Sequence, residues 1–264
     1  MDNYEALTNR NIGFITQKEQ ELLKGSCVAI FGAGGLGGVV AELACRMGIG
    51  RIKLIDHSTF EPTNLNRQIF CFNSTLDKNK IDVTEKFLKD INLEVKIEKY
   101  PKEEENNIDE ILKDVNVALL CVDKVRACIL ISRKTREKNI PLVESWAIPY
   151  GNVRVFTKDT PSLEEAYRLP SLNKELKLIS EAEFKNMDLK MLQVIARFPG
   201  IKSFYNTEAI IRMTKGENPT FAPCVWLNSV LMSLEAVKIL LGRGKIALAP
   251  EFVLFDPFSG QIPK

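Results

Sequence analysis

Apolar and amphipathic segments alternate along the first 156 residues. Residues 27–31 form a continuous apolar run, typical of a strand covered on both faces, and the mainly apolar segments at residues 52–55, 115–122 and 141–144 predict three more strands. Between them, apolar side chains recur at helical spacing in residues 39–47, 81–90, 109–113 and 127–138. Residues 93–97 alternate in polarity and predict a further strand. This order predicts a mostly parallel sheet with helices on both faces.

The second half of the chain follows a different pattern. Residues 153–156 predict a strand, residues 226–241 an apolar helix that ends at Gly242, and residues 251–256 a closing strand. The intervening residues 157–222 are charged and helix-prone, with interruptions at Pro161, Pro170, Pro199 and Pro219. We therefore predict an α/β fold whose Rossmann-like, mostly parallel sheet is flanked by helices and extended by a C-terminal antiparallel region.

Composition narrows the class of protein. The chain has 264 residues, of which 45% are hydrophobic and 27% charged, as is ordinary for a globular protein. A net charge of +2 does not by itself argue for a nucleic-acid partner. No run of 18 apolar residues and no secretory signal occurs, so we expect no membrane span and a cytoplasmic location. Six scattered cysteines without a C-x-x-C pair, and a single histidine, His57, lead us to expect no zinc.

A glycine-rich turn follows the first predicted strand. Residues 32–37 read Gly-Ala-Gly-Gly-Leu-Gly, so that Gly32, Gly34 and Gly37 match G-x-G-x-x-G and Gly35 adds a fourth glycine. Such a turn brings the backbone close to phosphate at a helix N-terminus. Asp56 comes 19 residues after Gly37, at the end of the next strand, where a carboxylate can accept a hydrogen bond from a ribose hydroxyl. We predict a nucleotide site.

The loop after Asp56 favours a triphosphate over a dinucleotide. Residues 64–68 read Asn-Leu-Asn-Arg-Gln, and Lys80 lies 13 residues beyond Arg67. Two cations near the phosphates suit a pyrophosphate leaving group, whose charge must be stabilised as it departs. Asp123 ends a buried strand and is placed to hold Mg²⁺ against those phosphates.

These motifs together resemble the ThiF/MoeB/HesA adenylyltransferases, which share their fold with ubiquitin-activating enzymes. The motifs from Gly32 to Asp123 match the family in order and spacing, although the spacing from Arg10 to the glycine turn differs. The resemblance covers residues 8–156 and 221–260, and the latter resemble the family's dimer-facing helix and terminal strand. The resemblance implies ATP and Mg²⁺ as cofactors and a homodimer. It also implies one domain, in which residues 1–156 form the ATP-binding region with an N-terminal helical arm. Residues 157–264 then hold the acceptor-recognition and crossover segment and the dimer-facing helix.

The resemblance also assigns residue roles. Asp56 would bind the ribose and Asp123 would hold Mg²⁺, while the phosphates would contact Asn64, Arg67, Gln68 and Lys80. Arg10 lies near the position from which family members donate an arginine to the partner's triphosphate; the alternative is a solvated N-terminal charge. The family reaction is attack of a carboxylate on the α-phosphate of ATP, which gives an acyl-adenylate and pyrophosphate. It needs no general base, since the carboxylate is already ionised near neutral pH.

The sequence departs from the family in its cysteines. The two zinc-binding C-x-x-C pairs that many relatives carry are missing, and the crossover loop at residues 212–221 lacks the cysteine that several relatives use. Cys224 follows that loop and is either a reactive thiol or a buried residue at the start of a helix. We expect activation without a covalent enzyme intermediate.

Three functions remain open at this point. We favour adenylation of a C-terminal carboxylate on a ubiquitin-like sulfur-carrier protein or a peptide. The second is a dehydratase that activates threonylcarbamoyladenosine in tRNA, so tRNA stays open as a partner although we expect no nucleic acid. The third is a nucleotide- or NAD-binding protein that adenylates nothing.

Overall fold

The fold described here is that of a computed structural model covering residues 3–195, 198, 201–214 and 217–260. Pro199 and residues 215–216 of the crossover loop lie outside the described residues. Seven strands are present within these ranges: β1 (Cys27–Phe31), β2 (Arg51–Ile55), β3 (Lys96–Tyr100), β4 (Val117–Leu120), β5 (Leu142–Glu144), β6 (Gly151–Phe156) and β7 (Val253–Phe255).

Helices connect and cover these strands. Their bounds are α1 (Asn3–Thr8), α2 (Gln17–Gly25), α3 (Gly35–Arg46), α4 (Lys80–Ile91), α5 (Ile108–Ile111), α6 (Val125–Glu137), α7 (Leu163–Tyr167), α8 (Glu181–Ile195), α9 (Ile201–Phe204), α10 (Thr207–Thr214) and α11 (Ala222–Leu241). Single 3-10 turns occur at Asn9–Asn11, Pro62–Asn64, Asn73–Thr75 and Leu176–Leu178.

The strands form one sheet in the order β3-β2-β1-β4-β5-β6-β7. The pairs from β3 to β5 are parallel, whereas β5–β6 and β6–β7 are antiparallel. The predicted fold class, a mostly parallel sheet with a C-terminal antiparallel extension, is confirmed. Chain order reverses between β1 and β4, and the crevice at such a switch point is where open α/β sheets bind ligands.

Alternate residues of β1 point to two different hydrophobic cores. Val28 and Ile30 pack with α3 and α11 on one face, and Ala29 and Phe31 pack with α6 and α8 on the other. Because both faces are covered, all five residues of β1 are buried. The glycine-rich turn therefore leaves a strand that is held rigidly on both sides.

The prediction for β3 was wrong in position. The strand covers Lys96–Tyr100, not residues 93–97. Asn92 ends α4 and its side-chain oxygen accepts a hydrogen bond from the Glu94 N–H at 3.0 Å, which keeps these residues in a turn. Leu93, which began the alternating pattern, lies in that turn and is 70% exposed.

Helix α11 begins four residues earlier than predicted, at Ala222, because Pro223 fits the first turn of a helix. By length and composition alone this helix could cross a membrane. It packs along α3 and β6, and its Ser229 hydroxyl donates to the Leu36 carbonyl at 3.1 Å. These contacts are those of a core helix in the present fold.

Candidate active site

A cavity of about 1040 Å³ lies at the carboxyl edge of the parallel strands. It collects nearly all the residues that the sequence predicted for the nucleotide: Gly32, Gly34, Gly35, Asp56, Asn64, Arg67, Gln68, Lys80 and Asp123. Sites for a single small ligand usually measure roughly 300–1,000 Å³. The volume is therefore sufficient for a nucleotide and part of a second substrate.

Close backbone approaches explain the glycine-rich turn. Gly32 has φ of +96°, and a Cβ there would lie 2.6 Å from the Cys121 carbonyl oxygen of the strand-end beside it. At Gly37 a Cβ would lie 1.7 Å from the Gly32 oxygen. Gly37 does not line the cavity, so its place in the motif is to let α3 pack against the turn. The N-terminus of α3, with Gly34 as its N-cap, consequently opens toward the cavity.

Asp56 is fixed beside this turn. One carboxylate oxygen accepts the Ala33 N–H at 2.8 Å, and the other accepts the Ser58 N–H at 2.8 Å and the Ser58 hydroxyl at 2.5 Å. A carboxylate has about four lone-pair sites, so three donors leave roughly one site for a ligand hydroxyl. The position next to the glycine turn agrees with the predicted ribose contact.

Two cations face the cavity without a protein anion. Lys80 is the first residue of α4 and is 9% exposed, although a helix N-terminus disfavours a positive charge. The half-buried Arg67 uses one Nη to bond the Thr63 carbonyl and the Asn66 side-chain oxygen, both at 2.9 Å. Burial lowers the pKa of Arg67. Since neither cation forms an ion pair with a carboxylate in the described part of the chain, the pair is suited to an anionic ligand.

The two predicted amides differ in what they leave free. Asn64 is buried, and its side-chain oxygen accepts the Glu61 N–H at 3.1 Å, which closes the Pro62–Asn64 turn. The Gln68 side-chain oxygen is buried and, within the described residues, has no hydrogen-bond partner. Its amide nitrogen would be 3.7 Å from a Cβ on Gly34. Asn64 thus fixes the shape of the loop, whereas the Gln68 side-chain oxygen is a hydrogen-bond acceptor beside the glycine turn.

Asp123 lies in the loop that follows β4, where it is exposed and lines the cavity. In the described ranges no group of three or more His, Cys, Asp or Glu side chains could hold a metal ion by itself. Mg²⁺ is commonly held by one or two carboxylates together with phosphate oxygens. The Asp123 carboxylate, which forms no ion pair with any described residue, lies beside a cavity large enough for a polyphosphate and fits that pattern.

Arg10 lies far from this cavity. It is exposed in the turn Asn9–Asn11. The side-chain amide of Asn11 donates to the Gln20 side-chain oxygen at 3.0 Å. The Gln20 amide nitrogen donates to the carbonyl of Met47, just past the end of α3. The cavity lies at the other end of α3. The structure therefore does not bring Arg10 to the site of its own chain, and its role at a partner's site remains a prediction.

The other half of the cavity is largely apolar, and the sequence did not reveal it. It is lined by residues after β5 and by the segment from α8 to α11, including Trp146, Ile148, Leu189, Leu192, Tyr205 and Pro219. Glu103 borders the Asp56 side, and burial raises the pKa of its carboxyl group. The sequence offered one indication of this half, because Trp146 follows the end of a predicted strand. No sequence pattern indicated that α8 to α10 line a cavity.

A buried charged network supports the apolar half. Glu144 ends β5 and lines the cavity, and its two oxygens accept from Arg154 Nε at 2.6 Å and from the Tyr167 hydroxyl at 3.0 Å. Trp146 Nε1 donates to the same hydroxyl at 2.7 Å. Burial opposes the charge on Arg154, but Glu144 outweighs it and raises the pKa of the guanidinium. The network fixes Trp146 at the cavity wall.

Cys224 does not have the environment of a nucleophile. It lies in the first turn of α11 and is 3% exposed. Burial raises the pKa of its thiol, which lowers the thiolate fraction near neutral pH. Of the two interpretations of Cys224, the structure favours the buried residue at a helix start.

A Rossmann-like sheet, a glycine turn at its switch point and two cations that form no ion pair with a described carboxylate are the features of a nucleotide-binding α/β protein. The model of the ThiF family matches residues 8–264. The chain belongs to the ThiF family, and the predicted resemblance is confirmed.

Two relatives and one solved structure illustrate the likeness. The molybdopterin-synthase adenylyltransferase of Haemophilus influenzae is 31% identical over 92% of this chain and 86% of its own length. The tRNA threonylcarbamoyladenosine dehydratase of Bacillus subtilis is 30% identical over 52% of this chain and 55% of its own. The structure of E. coli MccB with ATP shares the fold, with a TM-score of 0.62 and 20% identity over 90% of this chain and 62% of that chain.

The prediction of an adenylyltransferase is confirmed at the level of enzyme class, and the family implies use of ATP. This chain spans less than two thirds of the Bacillus dehydratase and of E. coli MccB.

Proposed function

We propose that this protein adenylates a carboxylate at the C-terminus of a ubiquitin-like sulfur-carrier protein or a peptide, with release of pyrophosphate. The observation that carries the proposal is one cavity with two different halves. One half holds Asp56, Arg67, Lys80 and Asp123, and the other is apolar and bounded by elements outside the nucleotide-binding motifs. An acceptor tail in the apolar half meets the phosphates at the boundary.

The residues work by orientation and charge neutralisation. Asp56 holds the ribose, and the N-terminus of α3 directs its free N–H groups at the phosphates. Arg67 and Lys80 neutralise the negative charge that builds up on the departing pyrophosphate. The acceptor carboxylate is a ready nucleophile, so its attack on the α-phosphorus requires placement in line with the leaving oxygen. No protein side chain has to take up a proton in this step.

Magnesium belongs to the same proposal. Asp123 is the residue that would hold the ion, with phosphate oxygens supplying further ligands. When bound, Mg²⁺ would add positive charge at the phosphates. The assignment is supported by the position of the Asp123 carboxylate at the cavity, where no cation of the described ranges pairs with it.

Exchange between ATP and radiolabelled pyrophosphate tests the proposal. We expect exchange in the presence of a synthetic peptide that ends in Gly-Gly with a free carboxylate. The same peptide with an amidated C-terminus is the matched control and supports no exchange, because its nucleophile is missing. Exchange that is independent of both peptides, or ATP binding without exchange across a panel of free-acid peptides and carrier proteins, would contradict the proposed acceptor class.

A tRNA dehydratase is the second candidate, since the Bacillus enzyme of that class is 30% identical to part of this chain. That likeness covers only about half of this chain, whereas the Haemophilus adenylyltransferase matches 92% of it. A net charge of +2 also supplies little attraction for tRNA. Salt-sensitive tRNA binding, with ATP turnover that depends on threonylcarbamoyladenosine, would favour this candidate instead.

We also propose a homodimer built on α11. Trp226, Val230 and Leu234 recur at four-residue spacing and form an exposed apolar stripe on this helix, with Leu234 53% exposed. We propose that a second copy of the chain covers this stripe, because a two-fold axis through the stripe brings the same residues of both copies into contact.

The cytoplasmic location and the absence of a membrane partner remain predictions.

An antiparallel pair of α11 helices would also give Arg10 a role. Trp226, at the start of α11, contacts Arg67 at the cavity, whereas Arg243, just past its end, donates to the Phe14 carbonyl at 3.0 Å. A helix of 20 residues is about 30 Å long, so the arm of Arg10 lies one helix length from its own cavity. The two-fold axis would bring that arm toward the partner's cavity. We propose that Arg10 acts there.

Mixing two inactive variants tests this arrangement. We expect Arg10→Ala and Asp123→Ala to be inactive alone and to recover activity after unfolding and refolding together. A mixed dimer has one site with an intact Asp123 and an Arg10 donated by the other chain. Half the dimers are mixed and one site of two is complete, so recovery reaches about a quarter of the wild-type exchange rate. No recovery, or a monomer mass at every concentration, would refute action across the dimer.

A further inference from the structure

One side-chain amide joins the arginine of the phosphate half to the acceptor half. Asn66 lies beside Arg67 in the 64–68 motif, yet it does not line the cavity. Its side-chain oxygen accepts from Arg67 Nη1 at 2.9 Å, and its amide nitrogen donates to the Thr220 carbonyl at 3.2 Å. Thr220 belongs to the segment before α11 and lines the cavity. Asn66 thus links the guanidinium to that segment.

An indole fixes the backbone of the same arginine. Trp226 Nε1 donates to the Arg67 carbonyl at 2.9 Å. The helix that carries Trp226 is anchored to α3 through Ser229, so its position is set by the core. The residue before it, Val225, packs against Gly35, where a Cβ would lie 3.1 Å from the valine methyl and 3.4 Å from Arg67 Cγ. Gly35 therefore lets the arginine stem lie directly over the start of α3.

We infer that Asn66 and Trp226 are positioning residues, which hold the Arg67 guanidinium toward the polyphosphate from the elements that form the acceptor half. The inference rests on the proposed function in one respect, namely that Arg67 binds phosphate. A long arginine side chain loses considerable conformational freedom on binding. Contacts that fix its backbone and its head group in advance reduce that cost.

Nucleotide binding measured by calorimetry tests the inference without an acceptor. We expect Asn66→Ala and Trp226→Phe each to weaken binding of MgATP by about three- to tenfold, the effect of one lost hydrogen bond. Binding of adenosine, which has no phosphate, stays unchanged in both. Phenylalanine keeps the apolar bulk of Trp226 and removes only its N–H. Asn106→Ala, in an exposed loop, is the matched control and binds MgATP as the wild type does.

The same substitutions in an Arg67→Ala background give the decisive comparison. If both residues act through Arg67, each changes MgATP affinity by less than about twofold once the arginine is absent. Equal losses with and without Arg67, or losses of adenosine and ATP binding together, would show a general structural role and overturn the inference. If the wild type binds MgATP and both variants bind it equally well, the inference alone fails. A wild-type protein that does not bind MgATP would refute the proposed function itself.

Discussion

Replacement of Asp123 by alanine is expected to reduce ATP–pyrophosphate exchange by roughly 100-fold or more, the scale on which a missing electrostatic group slows a reaction. The reason is positional. Asp123 lies in the loop just after β4, lines the cavity and is the carboxylate proposed to hold Mg²⁺ beside the phosphates. Asp123→Asn keeps the shape and removes the charge, so it should show a comparable loss in the assay with the Gly-Gly peptide.

The fold should survive this change. Asp123 is exposed and lies outside the strand, so its truncation creates no core cavity. Asp159→Ala is the matched control, because that aspartate is also exposed in a turn but lies away from the cavity. We expect Asp159→Ala to catalyse exchange at the wild-type rate. Both Asp123→Ala and Asp159→Ala should have the melting temperature of the wild type. Unchanged exchange in Asp123→Ala would remove Asp123 from the mechanism.

Arg154→Leu is expected to lower the free energy of unfolding by about 3–5 kcal/mol, because it leaves the Glu144 carboxylate buried without its cation. Arg154 is 1% exposed and lies over three aromatic rings, with its guanidinium carbon 4.1–4.7 Å from their centroids. Its second Nη donates to no described atom, so one buried hydrogen-bond donor of this guanidinium already has no acceptor among the described residues. In a chain of this size the melting temperature should fall by roughly 10 °C.

Two further variants separate charge from packing. Glu144→Gln combined with Arg154→Leu removes both charges and should be more stable than Arg154→Leu alone. Arg126→Leu removes an exposed arginine whose ion pair with Glu181 spans 3.6 Å, and should cost about 1 kcal/mol or less. Thermal unfolding followed by circular dichroism measures all three. A melting temperature for Arg154→Leu close to that of Arg126→Leu would contradict a structural role for the network.

The nucleotide half of the site could be predicted because its determinants are local. The turn at Gly32 follows a strand and precedes a helix, and both Asp56 and Asp123 come at the ends of apolar runs. Parallel strands bring such ends to one edge of a sheet, so these residues meet even though they are far apart in the chain. The cavity indeed gathers them, and Lys80 with them.

The acceptor half could not be predicted, because it depends on contacts between distant segments. Glu144 pairs with Arg154 across an antiparallel register, and both meet Tyr167, which no sequence pattern links to them. The described part of residues 157–222 contains the helices α7 to α10, whose charges suggested a solvated surface in the sequence, although Leu189 and Leu192 of α8 line the cavity. The wrong start predicted for β3 has a local cause and not a long-range one. The turn at Asn92 prevents the first of the alternating residues that follow it from joining the strand.

A crystal structure with Mg²⁺ and a non-hydrolysable ATP analogue tests the central claim most directly. We expect the polyphosphate at the carboxyl edge of the sheet, with the Arg67 and Lys80 nitrogens at hydrogen-bond distance from its oxygens and an Asp123 oxygen on the metal. A polyphosphate bound elsewhere, with all three side chains directed away from it, would contradict the claim.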